Sequence, residues 1–292
     1  MTYEISTRLR WMAPLLIAVL IALPGLASAG TPRIMLMGDS WAWYMWLNRS
    51  FQQALQEEGL GEFEEIGNFT AIPGSTSFQW VDEKWLEQAR KELEAHPTVD
   101  IVHLSIGGNG FLRGWHGGMP DAERDKLYGQ IINNIETMIK AVQSVRPGIR
   151  VAICNYDYVN ASRKSTVPEL NQAGMVLAGL KRDLAKRMDN VEYIQNYGLM
   201  QNHFGIPGVA KPGEVPLPGQ APDFEPFPGG LKDYGNPPEA MLDNIHLSSE
   251  GYHVLAKHCI DVLYRKWLTE PAVSLPSLAS ADTAKDTATA TR

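Results

Sequence analysis

The sequence predicts an α/β protein whose parallel sheet is covered by helices on both faces. Short apolar runs alternate with segments of helical periodicity along most of the chain, and the runs at 34–37 and 101–106 stop at glycines. At 292 residues and 44% hydrophobic content, the chain can bury one large core and requires no second domain.

The elements read in order as follows. Ile34, Met35, Leu36 and Met37 form a short strand that ends at Gly38. From Trp43 onward, Leu47, Phe51, Ala54 and Leu55 recur at helical spacing, with Gly59 as the stop. Residues 65–69 are a weaker strand, and 80–95 read as a helix. Residues 101–106 form a buried strand halted by Gly107 and Gly108. A helix opening at Pro120 and Asp121 carries the stripe Leu127, Ile131, Ile135, Met138 and Val142. Strand 150–154, helix 168–188 and strand 191–194 follow. Ser248 caps a last helix, with Glu250 in its first turn. Crossovers between parallel strands are right-handed, and ligands in such sheets sit beyond the carboxyl ends of the strands.

Three segments lie outside this pattern. Residues 1–29 have a positive n-region with Arg8 and Arg10, an apolar run broken by Pro24, and a small-residue site, Ala27-Ser28-Ala29. That is the pattern of a cleaved export signal, with Gly30 as the first mature residue and a periplasmic or extracellular destination. The competing reading is an uncleaved anchor, but the run is short of the ~20 apolar residues that a spanning helix needs. No stable membrane insertion is expected after cleavage. Residues 204–239, crowded with proline and glycine, exclude an ordinary helix or central strand; a loop of that length is functional or disordered. The tail 269–292, rich in Ala, Thr, Ser and Asp, is expected to be unfolded. The domain is therefore expected to span 30–268.

The net charge of -7, with no basic stripe, argues against a nucleic-acid partner. Cys154 and Cys259 each sit in an apolar run and read as two small buried residues, a disulfide being the minor alternative. No CxxC motif or His/Cys cluster suggests a metal, and no cofactor is expected. His103 reads as a core histidine; His253 and His258, five apart, lack a chelating spacing. Trp41, Trp43, Tyr44 and Trp46 read mainly as core, with a role in lining an acyl pocket as the alternative; Trp115 and His116 read as ordinary loop residues or cleft rim. Asn48, Asn68 and Asn160 begin chance-level glycosylation triplets.

Four short signals fall at strand ends: Gly38-Asp39-Ser40, Gly74 in a Pro-Gly-Ser turn, Gly107-Gly108-Asn109, and Asp243-Asn244-Ile245-His246. Each alone has a bland reading, the first as a helix cap and the third as a strand-ending turn. Together they supply the parts of acyl transfer. A serine hydroxyl needs a base, which His246 offers, and Asp243 can fix the ring's tautomer. The Ser40 and Gly74 N–H groups and the Asn109 amide are donors for a developing oxyanion. A classical α/β-hydrolase would instead show Gly-x-Ser-x-Gly.

The ordered set resembles the conserved blocks of the SGNH (GDSL-type) hydrolase superfamily, over roughly residues 33–268. The resemblance implies a flavodoxin-like three-layer α/β/α fold with about five strands. It also implies a triad of Ser40, Asp243 and His246, an oxyanion hole of Ser40, Gly74 and Asn109, and a small-molecule, glycan or lipid ester as substrate. Gly110 stands where many members have aspartate. Exported O-acyltransferases of glycans and non-catalytic binding proteins on the same fold are the alternative readings.

Overall fold

The computed structural model describes residues 30–161 and 165–270. The expected export signal, and the expected tail beyond Glu270, lie outside them.

Five parallel strands form one sheet: β1 Thr31–Gly38, β2 Phe63–Ile66, β3 Ile101–Ser105, β4 Arg150–Cys154 and β5 Val191–Ile194. Their order is β2-β1-β3-β4-β5, the flavodoxin-like arrangement. Met35 lies beside Val102, Val102 beside Val151, and Val151 beside Val191. The three central strands are buried along nearly their whole length, which is why they read as continuous apolar runs.

The pleat divides the core. Met35, Met37, Val102 and Leu104 face one layer, α4 Glu83–Ala95, α6 Asp121–Gln143 and α7 Val167–Ala185, meeting Leu93, Ile135 and Leu177. Ile34, Leu36, Ile101 and Ala152 face the other, made of α1 Ser40–Leu47, α2 Ser50–Glu57 and α9 Ser249–Cys259. Ser248 caps α9 as expected, accepting the Gly251 N–H at 3.2 Å.

Several boundaries differ from the sequence reading. The helix expected from Trp43 is two helices that begin at Ser40, because Arg49 takes a left-handed φ of 54° and turns the chain. The helix expected from Trp80 is likewise split. A short α3, Ser77–Trp80, opens on a Thr76/Gln79 capping box, and Asp82 then caps α4. Gly107 to Asn109 do not merely end a strand: they open α5, Gly108–Gly114. Another short helix, α8 Leu199–Phe204, follows β5. After α9 comes a single π-helical turn, Ile260–Tyr264, and then α10, Arg265–Thr269. Just past residue 268, Glu270 pairs with Arg150 at 3.2 Å.

The proline-rich segment 204–239 makes almost no regular structure, as its composition demands. Side-chain amides hold it instead. Gln201 donates to the carbonyls of Leu231, Tyr234 and Gly235 and accepts the Leu231 N–H. Asn160 donates to the Asn236 carbonyl, and Asn236 to that of Tyr158. The segment thereby fixes the loop after β4, which borders the site described next. No helix of the described residues is long and apolar enough to cross a membrane.

Candidate active site

β1 ends at Gly38, where φ is +138° and a Cβ would lie 1.9 Å from the Ser105 carbonyl oxygen; only glycine permits that approach. Asp39 follows as N-cap of α1, its carboxylate accepting the Trp41 N–H at 3.1 Å. The helix-cap reading of Gly-Asp-Ser therefore holds for Asp39, while Ser40 begins the helix with its hydroxyl free for other work. The Ser40 N–H is among the first four of the helix, which lack an intrahelical acceptor.

The Ser40 hydroxyl lies 2.8 Å from His246 Nε2, and His246 Nδ1 lies 2.8 Å from Asp243 Oδ2. The other Asp243 oxygen accepts the backbone N–H groups of Ile245 and His246, each at 2.7 Å. The turn is therefore self-bracing: one carboxylate holds both the ring and the peptide that carries it. Partial burial pushes the Asp243 carboxyl up, but bonds from the His246 ring and from the two N–H groups outweigh it and hold the carboxyl below its ordinary value. Tyr44 packs its ring 4.9 Å from that of His246, and Tyr252 stacks behind Tyr44.

Asn109 stands on the first turn of α5 and donates from its amide to the Ser75 carbonyl at 3.0 Å. The Ser75 hydroxyl donates in turn to the Gly38 carbonyl at 3.1 Å. The loop of Gly74 is thus tied to both the nucleophile strand and Asn109. Gly74 has φ +74°, and a Cβ there would meet nothing closer than 4.0 Å. Its conformation, rather than space for an approaching backbone, is what calls for glycine. Ser40 and Asn109 line the pocket and Gly74 does not. At Gly110, the Phe78 ring would lie 3.1 Å from a Cβ and fills the place.

Beneath Ser40 lies a buried network that no sequence motif announced. Tyr156 donates its O–H to Asp39 Oδ2 at 2.6 Å and accepts the Gly108 N–H at 2.9 Å, linking the start of α1 to the start of α5. The Lys181 ammonium lies 4.7 Å from the centre of the Tyr156 ring and has no hydrogen-bond partner. Burial pushes Asp39 up to about 6, opposed by the Tyr156 hydroxyl, and pushes Lys181 down to about 8. Next along the loop, Asp157 accepts the N–H groups of Tyr158, Gly198 and Met200 at 2.7–2.8 Å. Burial pushes it up to about 7 against those donors. The only sequence clue to these residues was the place of Tyr156 and Asp157, just past a strand end.

Between α1, α5 and the β4–α7 loop is an apolar pocket that reaches Ser40 and Asn109. Trp41, Phe111, Leu112, Tyr156, Leu170 and Ile245 form its walls. It offers about 50 Å³ to the centre of a water-sized sphere. Trp41 and Tyr156 meet edge to face, so one of the aromatics crowding the start of α1 does line the pocket. Trp115 is buried against Phe111 instead of standing at a rim.

Comparison with known proteins decides the family. Residues 30–254 match the model of the GDSL-like lipase/acylhydrolase family. The chain belongs to that family. As a member it is an acylhydrolase, an enzyme acting on ester bonds. Among solved structures, it is similar to a carbohydrate acetylesterase family member from Sinorhizobium meliloti, at 15% identity over 81% of this chain and 99% of that one, with a TM-score of 0.49. A mutant of an acetylxylan esterase from Geobacillus stearothermophilus matches at 13% identity over 80% and 94%, with a TM-score of 0.48. A lipase from a goat rumen metagenome matches at 13% over 80% and 98%, with a TM-score of 0.48. Among curated proteins none matches the sequence.

Proposed function

We propose that this enzyme is an exported serine esterase that removes short acyl groups through a Ser40 acyl-enzyme. The observation carrying the proposal is the unbroken chain from Asp243 through His246 to Ser40, with links of 2.8 Å and 2.8 Å. His246 Nε2 takes the Ser40 proton as Oγ attacks the ester carbonyl, and later returns it to the leaving alkoxide. Asp243 keeps the Nδ1–H tautomer and stabilises the imidazolium. The tetrahedral oxyanion receives the Ser40 N–H, the Gly74 N–H and the Asn109 amide, each held by the network around Gly38 and Ser75. Water then repeats the sequence on the acyl-enzyme, with His246 again as base.

Pocket size supports the short-acyl part. The pocket is small, offering about 50 Å³ to the centre of a water-sized sphere between the Trp41, Phe111 and Leu170 side chains. The apolar wall suits an unsubstituted acyl chain, and the alcohol side opens toward the half-exposed Asp243/His246 turn. Export rests on the tripartite pattern of residues 1–29 and implies a periplasmic or extracellular workplace.

The test is a series of p-nitrophenyl esters from acetate to octanoate. Expected is a kcat/KM that is highest for the short esters, about two to four carbons, and then falls as the chain outgrows the apolar walls, with Ser40→Ala inactive throughout. Rising kcat/KM up to octanoate would refute the short-acyl reading, and full turnover by Ser40→Ala would refute the nucleophile.

A further inference from the structure

On the sheet face opposite α6 and α7, four donor groups from distant parts of the chain converge in the core. His103 on β3 and Cys154 at the end of β4 project toward α9, where the cluster also includes Cys259 and Tyr264. The four residues are buried, at 0%, 1%, 0% and 0% exposure. His103 Nδ1 lies 3.2 Å from Cys154 Sγ and 2.8 Å from the Tyr264 hydroxyl, and that hydroxyl lies 3.6 Å from Cys154 Sγ. A histidine nitrogen and both sulfurs lie within 4.8 Å of one another. Phe51 packs edge-on to His103, and Trp267 stacks on Tyr264, so the surroundings are apolar.

The backbone is bent to make this arrangement. The π turn after Cys259 is closed by the Arg265 N–H on the Ile260 carbonyl. The extra residue in that turn brings Tyr264 round toward the side of Cys259, with its hydroxyl 3.6 Å from the Cys154 sulfur. In α-helical geometry Tyr264 would be rotated about 140° away. An isolated π turn inside a helix often marks a functional site.

We propose that His103, Cys154 and Cys259 bind a zinc ion, with Tyr264 completing a tetrahedron. Tetrahedral zinc with Zn–S of about 2.3 Å and Zn–N of about 2.0 Å sets N···S near 3.5 Å, and an oxygen ligand at about 2.0 Å sets N···O near 3.3 Å. The 3.2 Å and 2.8 Å separations would each open by about half an ångström or less to reach those values. Charge selects the ion. Two thiolates, a neutral imidazole and a neutral phenol cancel a divalent cation, whereas a monovalent one would leave a net negative charge in an apolar core. None of the four belongs to the Ser40 site, so the ion is structural: it ties the last helices to β3 and β4.

The experiment is metal analysis of the intact enzyme, purified under reducing conditions without chelator and incubated with Zn²⁺. Expected is about one tightly held zinc per chain, lost in Cys259→Ala and in Cys154→Ala. Replacement by Co²⁺ should give the thiolate charge-transfer absorption and the intense visible bands of a tetrahedral thiolate site. The wild-type measurement needs no variant to fold. Less than about a tenth of a zinc per chain after incubation would overturn the proposal. So would a Cys154–Cys259 disulfide in enzyme purified separately without reductant, seen as the absence of free thiols after denaturation.

Discussion

Replacing Tyr156 by phenylalanine keeps the pocket wall and deletes one hydroxyl. That hydroxyl makes two bonds, donating to Asp39 at 2.6 Å and accepting from Gly108 at 2.9 Å. The first is a hydrogen bond to a carboxylate, worth about 1.5–3 kcal/mol, and the second leaves an N–H short of an acceptor at about 1–3 kcal/mol. Asp39 can relieve part of the loss by taking up a proton. Its folded value is already raised to about 6, so its stabilising proton is held at low pH and released as pH rises through that value. Removing the hydroxyl raises it further. The destabilisation should therefore be about 1–2 kcal/mol at pH 5 and about 2–4 kcal/mol at pH 8. Urea denaturation of both proteins at the two pH values measures this directly. Activity at pH 8 should fall about tenfold as the start of α1, which presents Ser40, loosens. A loss below about 0.5 kcal/mol at both pH values, or one independent of pH, would refute the reasoning.

Asn109→Ala should lower kcat by about 10²–10³ with little change in KM, since the amide acts on the developing oxyanion; steady-state kinetics checks it, and a KM effect alone would assign Asn109 to substrate binding. Glu65 on β2 is raised to about 7 by burial, so the native state keeps a proton that the unfolded chain has released. Wild-type stability should then fall by about 2 kcal/mol, discounted for water at its edge, as pH rises from 4.5 to 7. Glu65→Gln should lose that component, as thermal melts across the range will report. Leu170→Ala opens the wall of the acyl pocket. The preferred ester in the chain-length series should move to longer acyl groups, at a stability cost of about 2–4 kcal/mol.

The strands and the Asp243–His246 turn were legible because their signals are local. Arg150–Cys154 and Val191–Ile194 appear in the structure with the bounds read from the sequence. Asp243 and His246 meet through a three-residue spacing that one turn satisfies. The helix breaks were not legible. Arg49 adopts its left-handed conformation without glycine or proline, because α2 must turn to pack on α9. The Gly107–Asn109 segment has the local pattern of a strand stop, although its glycines also begin α5. The Tyr156–Asp39 bond spans 117 residues, and the His103–Tyr264 bond 161, so nothing in local pattern foretells either. Residues 204–239 were legible as irregular but not as ordered, since their order comes from Gln201, Asn160 and Asn236 side chains bonding to distant carbonyls.

The most direct measurement is the reaction of the folded enzyme with a fluorophosphonate, read by intact mass and peptide mapping. A single adduct should form on Ser40, disappear in Ser40→Ala, and form far more slowly in His246→Ala, where the 2.8 Å base is gone. An unlabelled wild-type enzyme that nonetheless turns over esters, or an adduct that persists in Ser40→Ala, would contradict Ser40 as the nucleophile.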